Sequence, residues 1–132
     1  MADSDISELQ GTWVGSEVGR EGQVVMVFSG KLISFQGAFP QEWYKGIGIL
    51  DEDRSPKHAD FLIEDCGVED FIGKQSRAIY KIDDDGILMF AGAMPGDDNR
   101  PSVFHPGGGV RVFRLKREID SGGGSGFGGS DA

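Results

Sequence analysis

From Gly11 to Lys116 the chain runs in short stretches of alternating apolar and polar residues, each cut off by a turn rich in glycine or aspartate. This pattern constrains the fold more than any other feature. Alternation with a period of two puts successive side chains on opposite faces of a strand. No stretch long enough for an ordinary helix keeps a helical period.

The expected strands are Gly11–Val18, Gln23–Ser29, Lys31–Gln36, Trp43–Leu50, Lys57–Glu64, Gln75–Ile82, Ile87–Gly92 and Val110–Lys116. Within Lys57–Glu64, Ala59, Phe61 and Ile63 face one way, and His58, Asp60 and Glu64 the other. Ala78, Tyr80 and Ile82 share one face of the next strand, with Arg77 and Lys81 opposite. Ser29-Gly30-Lys31 reads as a tight hairpin. Asp83-Asp84-Asp85-Gly86 ends in Asp-Gly, a strong hairpin signal. Gly46 and Gly48 suggest a bend or bulge.

About eight short strands at this spacing indicate an all-β barrel or sandwich. Hairpin follows hairpin, so sequence neighbours are expected to pair. Closing the sheet hides its edges. The expectation is therefore an eight-stranded antiparallel up-and-down barrel. Residues 3–10 should form a short helical turn, with Asp5 as N-cap, Glu8 completing a capping box, and Ile6 and Leu9 covering one end of the barrel. Residues 1–118 form one domain. Residues 119–132, rich in Gly and Ser, read as a flexible tail.

Composition narrows the function classes. The 132 residues carry 22 acids and 13 bases, a net charge of −9. That sign disfavours nucleic acid and anionic membrane surfaces. The one basic cluster, Arg111, Arg114, Lys116 and Arg117, is small. A single cysteine, Cys66, allows no internal disulfide. The N-terminus lacks the basic and apolar regions of a signal peptide, and no stretch is apolar enough to span a membrane. The expectation is a cytoplasmic monomer.

Each candidate site competes with a structural role. Asp83-Asp84-Asp85-Gly86 fails as a calcium loop, because Lys81 holds the first ligand position and Gly92 stands where a glutamate is needed. His58 and His105 have no ligand spacing around them, so no metal site is expected. Cys66 has no accompanying base. No nucleophile elbow or phosphate loop is present, and neither a catalytic residue nor a cofactor is expected. Phe28, Phe35, Trp43, Tyr44, Phe61, Tyr80 and Phe90 either fill a core or line a pocket; alternation alone serves both.

Gly11-Thr12-Trp13 at the first strand, after a short helical turn and with a basic residue on the last strand, resembles the lipocalin, or calycin, barrels. In such barrels that basic residue packs across the Trp, which points to Arg114 or Arg117 and makes Gly11, Trp13 and that arginine a structural closure. The chain is also similar to a lipocalin-like domain of unknown function abundant in planctomycete bacteria. The matching stretches are Leu9-Gln10-Gly11-Thr12-Trp13, Ile79-Tyr80-Lys81-Ile82-Asp83, Ile87-Leu88-Met89, Arg100-Pro101-Ser102-Val103-Phe104 and Leu115-Lys116-Arg117. Met89-Phe90-Ala91 departs from the Cys-containing run of many members, and the Gly-rich tail is extra.

The resemblance implies a fold and carries no activity with it. The residues themselves lead to the expectation of a non-enzymatic barrel binding a small apolar or amphipathic ligand, with Phe35, Tyr44, Phe61, Tyr80 and Arg100 as expected ligand contacts. The alternative is a solid-core barrel acting as a protein-interaction module.

Overall fold

The computed structural model describes residues 5–118, so the expected tail lies outside the described residues. The fold is a closed antiparallel barrel. Its strands are β1 (Gly11–Glu17), β2 (Val24–Ser29), β3 (Leu32–Gln36), β4 (Trp43–Asp51), β5 (Lys57–Cys66), β6 (Gln75–Ile82), β7 (Ile87–Gly92) and β8 (Arg111–Arg117). A short helix, α1 (Asp5–Leu9), precedes them, and a single 3-10 turn (Glu69–Phe71) follows β5.

Each strand pairs with the next, and β8 returns to β1 with Trp13 opposite Arg117 and Glu17 opposite Phe113. The expected order and alternation are both present. The Asp83–Gly86 hairpin closes as anticipated: Gly86 has a positive φ of 80°, and Asp83 Oδ1 accepts from the Asp85 and Ile87 amides. The β-bulge lies between Lys45 and Gly46, where the register against β5 shifts. A Cβ on Gly46 would lie 1.9 Å from the Leu62 carbonyl oxygen, so only glycine permits that approach.

The inward positions of every strand meet in one core. Its closed end is packed by Leu9, Trp13, Phe28, Tyr80, Leu88 and Leu115. Five residues cannot hold a helix by propensity alone, so α1 is held by burial of Leu9 and by side-chain contacts. The Trp13 indole Nε1 donates to the Leu9 carbonyl at 2.8 Å. The Arg117 guanidinium lies 4.5 Å from the Trp13 ring centroid and donates to the carbonyls of Glu8 and Gln10. Charge over an indole face and donors to the last carbonyls of α1 together seal this end.

Two expectations change here. Asp5 belongs to the helix, and its carboxylate does not cap it. Oδ2 instead accepts from the Tyr80 hydroxyl and the Lys57 ammonium, both at 2.7 Å. A buried carboxylate is better served by two strong donors than by a frayed helix amide. Arg114 takes no part in closure. It lies one residue out of phase with Arg117's inward row and is exposed.

A second, smaller cluster lies outside the barrel wall. Ile79, Ala91 and Val112 point outward from β6, β7 and β8 and are fully buried under Met89, Phe104 and Val110. The connection over residues 93–110 therefore folds back onto the wall.

Candidate functional site

The end of the barrel opposite α1 is formed by the connections β1–β2, β3–β4, β5–β6 and β7–β8. Beneath them is an apolar cavity of about 200 Å³. Met26, Ile33, Phe35, Tyr44, Phe61, Ile63, Phe90 and Phe113 form its walls, and Phe71, Met94, Pro95 and Gly109 its rim. The Phe35 and Phe113 rings meet edge-on at 5.0 Å, Phe35 and Tyr44 are tilted at 6.0 Å, and Phe71 stacks on Tyr44 at 6.5 Å. These offsets suit aromatic faces and edges.

Among the described residues one charged side chain, Arg111, borders the cavity. Arg111 lies over Phe113 at 5.3 Å and Phe35 at 6.0 Å. Its Nε and Nη2 donate to Glu17 at 2.9 and 2.8 Å, and Nη2 lies 3.5 Å from Glu42. Arg20 joins the same two carboxylates at 2.9 and 3.1 Å. Burial works against ionisation of Glu17, but the Arg111 hydrogen bonds and charge, with help from Arg20, hold its carboxyl below the ordinary range. The Glu17 hydrogen bond outweighs burial at Arg111 and secures its positive charge. Burial pushes the Tyr44 hydroxyl up, with the Arg111 charge and hydrogen bond pulling the other way, so Tyr44 is neutral at physiological pH.

Among the expected ligand contacts, the structure brings Phe35, Tyr44 and Phe61 together in this cavity and leaves two elsewhere. Tyr80 is inward-facing but lies at the closed end, bound to Asp5. Arg100 lies against the outer wall, away from the cavity, where it pairs with Asp60 at 2.7 Å and donates to the Ala78 carbonyl at 2.8 Å. The loop carrying it is drawn outward by Phe104, which packs on the exterior cluster. Within the aromatic set, Phe28 fills the closed end. Trp43 faces outward beside Lys45, whose ammonium lies 5.6 Å from the indole.

Sequence reasoning missed Arg111 and Glu17 as members of the site, although their signal was present. Arg111 shares the parity of Phe113 and Leu115, and Glu17 that of Trp13, so both alternate inward. They were masked by their types, since arginine in a basic run and glutamate before a turn both read as solvated. Among the described residues no group of three or more His, Cys, Asp and Glu is placed to hold a metal ion. No described helix is long and apolar enough to cross a membrane. No protein-family model, curated protein or solved structure matches the chain.

Proposed function

We propose that this barrel is a non-enzymatic binding protein of lipocalin-like type that takes a small apolar or amphipathic molecule into the end opposite α1. The observation that carries this reading is the cavity itself: about 200 Å³ walled by aromatic and aliphatic side chains, with one charged group at its border. Pockets of this make-up draw affinity from apolar burial and orientation from a few polar groups. A solid-core interaction module needs no such void, because unfilled space next to packed side chains forfeits contacts. Among the described residues no nucleophile–base pair borders the cavity: Tyr44 is kept neutral and Ser76 donates its hydroxyl to the Ala93 carbonyl at 2.8 Å.

Toluene tests the reading directly. Titrated into the protein, it should shift the methyl resonances of Ile33 and Ile63, which line the cavity, and leave those of Leu9 and Leu115 at the closed end in place. Absence of saturable shifts at the cavity methyls would overturn it.

A further inference from the structure

We infer that the molecule this cavity selects is a compact, uncharged aromatic compound bearing a carbonyl acceptor, held by the Tyr44 hydroxyl beside Arg111. The inference rests on the ligand-binding reading above and adds to it a size, a charge and a functional group.

Size follows from volume. An engineered apolar cavity of about 150 Å³ takes up benzene, so about 200 Å³ scales to about eight non-hydrogen atoms. That is one substituted ring. Pockets for drug-sized ligands run from about 300 Å³ upward. A long acyl chain would leave much of its length outside the apolar walls.

Shape follows from the lining. Phe35, Phe61, Phe90 and Phe113 face the cavity, and Phe71 with Tyr44 stands at its outer side. Aromatic rings favour offset and edge contacts with another ring.

Charge and functional group follow from the arginine. Glu17 engages Nε and Nη2 of Arg111, and the same guanidinium faces the Tyr44 hydroxyl oxygen within hydrogen-bond reach. That contact uses the Tyr44 oxygen as acceptor, so the Tyr44 O–H is the donor left at the cavity border. Arg111 and Arg20 are already balanced by Glu17 and Glu42. A carboxylate ligand would add a third negative charge to a half-buried neutral cluster, at a desolvation cost with no spare cation to offset it. A carbonyl oxygen accepts the Tyr44 hydrogen bond and brings no charge.

Binding of acetophenone, its apolar isostere cumene, benzoate and dodecanoate is measured on the wild type, Arg111→Lys and Tyr44→Phe. Lysine keeps the charge facing Glu17 but lacks the guanidinium fork. The wild type should bind acetophenone and cumene, and should bind benzoate and dodecanoate more weakly than acetophenone. Tyr44→Phe should weaken acetophenone about fivefold and leave cumene within about twofold, as expected for one lost hydrogen bond between neutral groups. Arg111→Lys, which loses the guanidinium facing the Tyr44 oxygen, should shift acetophenone in the same direction. Equal weakening of both neutral probes, no weakening of either, or tighter binding of benzoate or dodecanoate overturns the inference while leaving a binding cavity. Failure of all four probes to bind overturns the binding reading as well.

Discussion

Arg111 on β8 holds Glu17 on β1 through two parallel hydrogen bonds, Nε to Oε2 at 2.9 Å and Nη2 to Oε1 at 2.8 Å. The pair joins the strands that close the barrel, at the end where the apolar packing stops. Both residues alternate inward, so the charge of each would be poorly solvated without the other.

This pairing has a pH signature. An acid whose pKa falls on folding contributes stability that is present above its unfolded value and is lost as pH drops through the folded one. For Glu17 the loss begins below the ordinary value of 4.5. Glu17→Gln should cost about 1–3 kcal/mol at neutral pH, the usual penalty for orphaning a charged hydrogen-bonding partner. The gap between wild type and variant should close as the medium becomes acidic. Urea unfolding at a series of pH values measures both; a gap independent of pH would contradict the pairing.

The closed end predicts an alkaline effect of opposite sign. Burial, then the hydrogen bond to Asp5, pushes the Tyr80 hydroxyl far above its ordinary value of 10.0. An acid raised in this way contributes stability below its unfolded pKa and loses it as pH climbs. Tyr80→Phe should cost about 1–2 kcal/mol at neutral pH, because Asp5 keeps only Lys57 as a side-chain donor. That difference should shrink above pH 10, and phenolate absorbance in the folded wild type should lag behind that of the unfolded chain.

Trp13 is 2% exposed and bridges α1 to the barrel through its indole nitrogen. Trp13→Ala should destabilise by about 3–5 kcal/mol, typical for deletion of a large buried aromatic. Thermal or urea unfolding measures this, and a cost below about 1 kcal/mol would deny Trp13 its place in the core.

Gly92 borders the cavity, and a Cβ added there would meet nothing closer than Ser76 Oγ at 3.4 Å. Gly92→Ala should be neutral or stabilise by up to about 0.5–1 kcal/mol, since alanine restricts the unfolded chain more than glycine does. Gly92→Val should keep the fold and displace toluene by filling its space. A folded Gly92→Val protein that binds toluene as tightly as wild type would put the guest elsewhere.

The strands were legible because each signal was local. Alternation at Lys57–Glu64 and Gln75–Ile82, the Asp-Gly turn and the paired glycines of β4 are all properties of neighbouring residues, and the structure agrees with them within one or two positions. Closure of the sheet followed from its unprotected edges. The site was legible only in part. Phe35, Tyr44 and Phe61 had the right parity and the right end of the barrel, whereas Tyr80 had the right parity and the wrong end. Height along the barrel depends on strand tilt and stagger, which period-two reasoning does not encode.

By itself, the sequence determined which face of each strand turns inward, where the chain reverses, and that Trp13 would anchor one end. The tertiary structure alone decided which inward residues pack solid and which border a void. It also turned Asp5 from a helix cap into the partner of Tyr80, drew Arg100 onto the outer wall, and set Arg111 against Glu17. Those outcomes depend on distances between residues far apart in sequence. A buried charge takes the best donor or acceptor that the closed barrel brings within reach, whichever strand it comes from.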